Sequence, residues 1–296
     1  MIKTQRVLKF PIFLLTVYLT VTGIALGQDA SNPPAPNEAS EHGPVEMRLN
    51  VINHIPVIEA KIDGKGPFRF ALDTGFSGAV EVTSTLAEQL DLPVIGSARA
   101  GDPSGRNPIT VRLFRASSVY IGSAHFHGVT VNESLRRGPI DTDGVIGLKL
   151  FERMLVKLDY FHGKFALNSG SLSSDSSLAY DIPHGVPSIE IDVNGIKTHV
   201  DIDSGGPAAV TLPLSMAGSL TLTGEPVVVG HGRTADGEFD IYSSTLVGNV
   251  RVGDVTLANP RLDFVSIFPN GNLGYGFLRN LIVTFDPANR RVQFEK

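Results

Sequence analysis

The sequence predicts a mainly β protein of 296 residues, built as two duplicated lobes. Three observations carry that expectation. Apolar and polar residues alternate in short runs, two Asx-Gly pairs punctuate the alternation, and one block of sequence occurs twice in the same internal order. Alternation with a period of two is the signature of half-buried strands.

The strand signals come first. Ile58-Glu59-Ala60-Lys61-Ile62 alternates, and so do Ile189-Glu190-Ile191-Asp192-Val193 and Val250-Arg251-Val252. Asp63-Gly64 and Asn194-Gly195 follow the first two runs and suit tight hairpin turns with positive φ. Each lobe therefore opens with a hairpin whose second strand leads into Asp73-Thr74-Gly75 or Asp203-Ser204-Gly205. Short helices are expected over Ser84–Leu90 and Leu148–Met154. The 31 glycines and 19 prolines agree with many turns and few long helices.

The repeat comes next. Phe70-Ala71-Leu72-Asp73-Thr74-Gly75-Phe76-Ser77-Gly78-Ala79-Val80 aligns without a gap on Val200-Asp201-Ile202-Asp203-Ser204-Gly205-Gly206-Pro207-Ala208-Ala209-Val210. Farther on, Asp143-Gly144-Val145-Ile146-Gly147 is answered by Asn270-Gly271-Asn272-Leu273-Gly274. In both copies an apolar alternating run then ends in an acid, Asp159 or Asp286. Upstream, Pro56-Val57-Ile58-Glu59 is matched by Pro187-Ser188-Ile189-Glu190. The order of signals divides the chain into a lobe over 45–168, an inter-lobe linker of Ser-rich composition over 169–186, and a lobe over 187–296.

The N-terminus reads differently. Lys3, Arg6 and Lys9 precede an apolar run from Phe10 to about Leu26, and small residues precede Gln28. Residues 1–27 match a secretory signal peptide, and the weaker alternative is an uncleaved anchor interrupted by Pro11. Residues 28–44 are polar and Pro-rich, a flexible linker or pro-segment. The expected destination is the periplasm or the exterior. Removing residues 1–27 takes away three basic and no acidic residues, which moves the net charge from -5 to -8. No basic run supports nucleic-acid binding. The absence of Cys excludes disulfides, a thiol nucleophile and thiolate metal sites.

Asp73 and Asp203 carry the chemistry. Each ends an apolar strand, where a carboxylate is costly unless something uses it or pairs with it. Thr74 and Ser204 can tie loops together, and Gly75 and Gly205 permit close approach of another segment. If the duplicated loops meet at a pseudo-twofold axis, the two carboxyls share one proton, because like charges at that range do not both ionise easily. Such a pair can activate a water and protonate a carbonyl oxygen. The pair titrates as a unit, so neither role goes to one residue at this point.

Leu72-Asp73-Thr74-Gly75 and Ile202-Asp203-Ser204-Gly205 resemble the signatures of pepsin-like and retropepsin-like aspartic peptidases, and Asp143–Gly147 resembles the apolar-apolar-Gly element behind their catalytic loops. The resemblance spans about residues 48–296. It implies a bilobal acid-protease fold of two retropepsin-like β-barrel lobes, with Asp73 and Asp203 catalytic in the cleft. It implies that Thr74, Gly75, Ser204 and Gly205 support the catalytic loops, with Thr74 and Ser204 bonding across the interface, and that Gly147 and Gly274 back them. It also implies a hairpin flap over an extended peptide, with Gly101–Gly105 the candidate and His231–Gly237 its counterpart. The departures are Phe76 and Gly206 where a small Ala or Ser is usual, Asn272 in place of an apolar residue, and no Tyr in the first candidate flap.

The expected function is that of an aspartic endopeptidase acting on a peptide or protein substrate. The runner-up is a non-catalytic peptide-binding or assembly module of the same fold. No cofactor or metal is expected, nor stable membrane insertion after signal cleavage. A monomer is expected, since one chain holds both halves. His125 and His127 share a strand face but lack a third ligand, and Asp141-Thr142-Asp143-Gly144 lacks the remaining ligands of a calcium loop. Asn132-Glu133-Ser134 is a glycosylation sequon that matters only in a eukaryotic secretory pathway.

Overall fold

The computed structural model of the chain describes residues 12–13, 18–20, 38–39, 44–101, 108–134, 140–234 and 237–296. The leader and the tether at 1–44 lie outside these residues apart from the short pieces named, and so do 102–105 and 235–236 in the two candidate flaps. The protein is mainly β, with three sheets and two short α-helices among the described residues. No helix among the described residues is long and apolar enough to cross a membrane.

Two large sheets carry their strands in corresponding order. The first runs Val94–Gly101, Ile109–Ile121, Ala124–Ser134, Val80–Thr83, Gly144–Ile146, Lys65–Leu72, Ile55–Ile62 and Asn50–Ile52. The second runs Val227–Thr234, Gly237–Thr245, Arg261–Val265, Val210–Pro213, Gly271–Leu273, Ile196–Ile202, Ser188–Val193, Asn249–Val252 and Val255–Ala258. The opening hairpins have the same cause in each. Asp63 and Gly64 take φ of 47° and 75°, and Asn194 and Gly195 take 55° and 90°. Two successive positive φ values give the turn whose twist matches the flanking strands.

The strand Lys65–Leu72 shows how the alternation is spent. Phe70 and Leu72 enter the main core, whereas Ala71 faces a smaller apolar cluster with Ile55, Val57, Phe76, Ile140 and Val145. The helix Ser84–Leu90 begins with the Thr83 hydroxyl accepting from the Leu86 N–H at 3.2 Å and buries Leu86, Ala87 and Leu90. Leu148–Phe151 forms one 3₁₀ turn rather than a helix reaching Met154, because the chain must enter the strand Leu155–Asp159. Asn132 of the sequon is buried.

A third sheet joins segments distant in sequence. Its order is Leu178–Ala179, Arg291–Glu295, Ile282–Asp286, Leu155–Asp159, Lys164–Asn168 and Val45–Arg48. The repeated acids close its two hairpins. Asp159 Oδ1 accepts from the His162 N–H at 2.8 Å, and Asp286 Oδ1 accepts from the Asn289 N–H at 3.1 Å. The Ser-rich segment after Asn168 is fastened to this sheet. Leu172 N–H donates to Asp286 Oδ2 at 2.9 Å, and Arg291 Nε donates to the Ser177 hydroxyl at 2.7 Å. Composition that suits a linker here supplies the polar groups that hold it down.

Three short extended pieces sit at sheet edges. Ile12–Phe13 pairs with Gly232 and Arg233, Tyr18–Thr20 pairs with Arg99–Gly101, and Glu38–Ala39 pairs with Phe126 and His127.

Candidate active site

Each site loop leaves its strand in the same way. Asp73 N–H donates to the Ile146 carbonyl and Asp203 N–H to the Leu273 carbonyl, both at 2.9 Å. Gly147 N–H and Gly274 N–H then donate to the carbonyls of Ala79 and Ala209. A side chain at Gly147 would strike the Phe76 carbonyl at 2.6 Å, and one at Gly274 the Ala208 carbonyl at 2.6 Å. The glycines that close the repeated second element thus lie directly against the backbone of the site loops.

The loops lock to each other by four buried hydrogen bonds. Thr74 N–H donates to the Ser204 hydroxyl at 3.0 Å, and Ser204 N–H donates to the Thr74 hydroxyl at 2.9 Å. The Thr74 hydroxyl donates to the Ile202 carbonyl at 2.6 Å, and the Ser204 hydroxyl donates to the Leu72 carbonyl at 2.7 Å. Each hydroxyl is both donor and acceptor, so only Ser or Thr completes the pattern.

This lock brings Asp73 and Asp203 together. A Cβ at Gly75 would stand 2.8 Å from Cγ of Asp203, and one at Gly205 would stand 2.7 Å from Oδ2 of Asp73. Each glycine is therefore the floor on which the other loop's carboxyl rests. Both carboxyls are fully buried. Burial first, then the charge of Asp203 and a shared hydrogen bond with it, push the Asp73 carboxyl well above the usual carboxylate range. One proton between the two groups relieves the repulsion that burial would otherwise amplify.

The surroundings of the two acids differ. Asp73 Oδ1 accepts from Gly75 N–H at 2.8 Å, while its buried Oδ2 meets no donor apart from the proton the pair shares. Asp203 Oδ1 accepts from Gly205 N–H at 2.8 Å and Gly206 N–H at 3.0 Å, and its Oδ2 accepts from the Asn272 side-chain amide at 2.7 Å. The buried Tyr160 hydroxyl lies beside Ser204, near both acids. Its ring meets Tyr275 at 5.9 Å, and Tyr275 meets His54 at 5.2 Å. Burial, with Tyr275 and the two acids near it, raises the Tyr160 hydroxyl far above its ordinary range.

Sequence reasoning treated Asn272 and Gly206 as departures and passed over Tyr160. The signal for Asn272 was its place in the repeat, opposite Val145, where a polar residue in an apolar element required a partner. Tyr160 offered no such signal, since it follows the repeated acid Asp159 as an ordinary turn aromatic. His125 stacks on Tyr120 at 4.1 Å and lies 3.7 Å from His127; among the described residues no third metal-ligating group joins them.

Fold and site together define a mainly β protein that holds two Asp-hydroxyl-Gly loops carboxyl to carboxyl at one seam. The chain is similar to the aspartyl protease family, whose model matches residues 58–150. The matched stretch includes Asp73-Thr74-Gly75 and Gly144–Gly147 and stops short of Asp203. No curated protein matches the chain.

Proposed function

We propose that the protein is an aspartic endopeptidase of two retropepsin-like lobes, in which Asp73 and Asp203 together activate a water for attack on a peptide bond. The observation that carries this reading is the mutual seating of the two carboxyls, each on the glycine of the opposite loop. Two buried acids so placed hold one proton most favourably. The ionised member takes a proton from water as its oxygen bonds to the carbonyl carbon, and the protonated member gives its proton to the carbonyl oxygen. The carbon–nitrogen bond then breaks as the nitrogen takes the proton that the first acid gained from water, and the carbonyl re-forms as a hydroxyl proton returns to the second acid.

The outer edges of the two large sheets suit pairing with an extended peptide substrate. The strands Val94–Gly101 and Val227–Thr234 both accept an extended segment of this same chain, at 18–20 and 12–13 respectively. Pairing of that kind supplies main-chain hydrogen bonds to any sequence and leaves alternate side chains for selection. The basic and apolar character of residues 1–27 supports export to the periplasm or beyond.

The test is digestion of a peptide library by the purified protein beside Asp73→Asn and Asp203→Asn. Cleavage by the wild type, lost in both variants with thermal unfolding nearly unchanged, is expected. Equal cleavage by either variant, or peptide binding with no cleavage by the wild type, would overturn the reading.

A further inference from the structure

The two halves treat their acids unequally, and the inequality has one structural source. In the first half Phe76 follows the glycine, and Val145 lies beside Ala71 on the neighbouring strand; all three belong to one apolar cluster. The corresponding positions in the second half are Gly206, Asn272 and Asp201. Gly206 leaves space: a Cβ there would stand 3.2 Å from Asp203 Oδ2 and 3.5 Å from the Asn272 amide nitrogen. Into that space Asn272 aims its N–H at Asp203 Oδ2, at 2.7 Å.

We propose that Asn272 is a positioning residue that decides which acid of the pair is ionised, so that Asp203 carries the charge and Asp73 carries the proton. The proposal rests on the peptidase reading for its chemical consequence: Asp203 takes the proton from water, and Asp73 protonates the carbonyl oxygen. Hydrogen bonds donated to a carboxylate favour its charged form. Asp203 receives three such bonds, two from backbone N–H groups and one from Asn272. Apart from the proton the pair shares, Asp73 receives one, from the Gly75 N–H. The raised proton affinity of Asp73 agrees with this division.

The other titratable groups around the pair do not reverse it. Glu81 acts on Asp73 and favours its protonated form. Burial above all, then Tyr275 and the two acids, keeps the Tyr160 hydroxyl neutral beside Ser204. Asp201 lies upstream on the Asp203 strand and is met by the Asn270 amide at 3.5 Å.

The test replaces Asn272 with the residue of the first half, Asn272→Val, with Asn272→Ala as the smaller alternative if valine does not fold. The pH profile of kcat/KM is measured for each. Loss of a hydrogen bond to a charged group moves the acid limb to higher pH by about one unit, a tenfold loss of rate on that limb, and leaves the plateau within about threefold. A uniform fall with no shift of the limb, which a merely structural role predicts, overturns the proposal. A second readout needs no activity. With 13C-labelled aspartate carboxyls, assigned by the Asp73→Asn and Asp203→Asn variants, the wild type is expected to show Asp203 ionised and Asp73 protonated, and Asn272→Val to reduce the difference. An ionised Asp73, or carboxyl signals indifferent to residue 272, overturns it. If the wild type cleaves no peptide, the peptidase reading fails, while the carboxyl signals still judge the role of Asn272.

Discussion

Replacing Ser204 with Ala removes one oxygen from the seam and tests what holds the two loops together. The lost hydroxyl accepts from Thr74 N–H at 3.0 Å and donates to the Leu72 carbonyl at 2.7 Å, both in buried surroundings. A buried N–H left without a partner costs about 1–3 kcal/mol, and the carbonyl, with two lone pairs, costs less. The expected loss is therefore about 2–4 kcal/mol. Thr74→Val breaks the reciprocal pair, the bonds to the Ile202 carbonyl and from Ser204 N–H. Because the four bonds share two loops, the double variant should deviate from additivity by more than about 0.5 kcal/mol. Urea unfolding measures both quantities through the midpoint at constant m. Ser174→Ala is the control: that hydroxyl is exposed and donates to Asp175 at 3.3 Å, so its loss should stay within about 0.5 kcal/mol. If Ser204→Ala is as mild as Ser174→Ala, the lock does not carry the interface and the reasoning fails.

Other perturbations probe separate parts. Gly205→Ala puts a methyl 2.7 Å from Asp73 Oδ2, so the pair must separate; an overpacking cost of about 1–3 kcal/mol and a loss of peptide cleavage of about a hundredfold are expected, read by thermal unfolding and by kcat/KM. Glu133 accepts from Arg112 Nε at 3.0 Å and from Ser84 at 2.9 Å, and the Arg112 hydrogen bonds above all hold its carboxyl down at about 2, below the ordinary 4.5. A depressed value means that this stabilisation is present above pH 4.5 and is lost as pH falls toward 2. Glu133→Gln should thus cost on the order of 1 kcal/mol at neutral pH, since Arg112 is partly exposed, and the difference from wild type should shrink across that window in pH-dependent unfolding. Equal stability of the two at pH 7 would refute the assignment.

Much of the fold is legible in the chain because the signals are local. Alternation along Ile58–Ile62 and Ile189–Val193, followed by Asp63-Gly64 and Asn194-Gly195, specifies two hairpins, since turn twist and side-chain period are properties of neighbouring residues. The helix Ser84–Leu90 was readable for the same reason. The repeat singles out Asp73 and Asp203 as counterparts. It also marks Asp159 and Asp286, but gives no hint that they close the hairpins of a sheet that interleaves Val45–Arg48 with strands more than a hundred residues away.

What the sequence by itself determined was the mainly β class and the matched contexts of the two acids, because both follow from short-range pattern and direct comparison. Only the tertiary structure decided that each carboxyl rests on the opposite glycine, that the Ser-rich segment is tied to the last strand, and that the Asn272 amide reaches Asp203. Those facts depend on which groups meet after the chain has folded. A buried donor declares its partner only when packing has removed the water that would otherwise have served it.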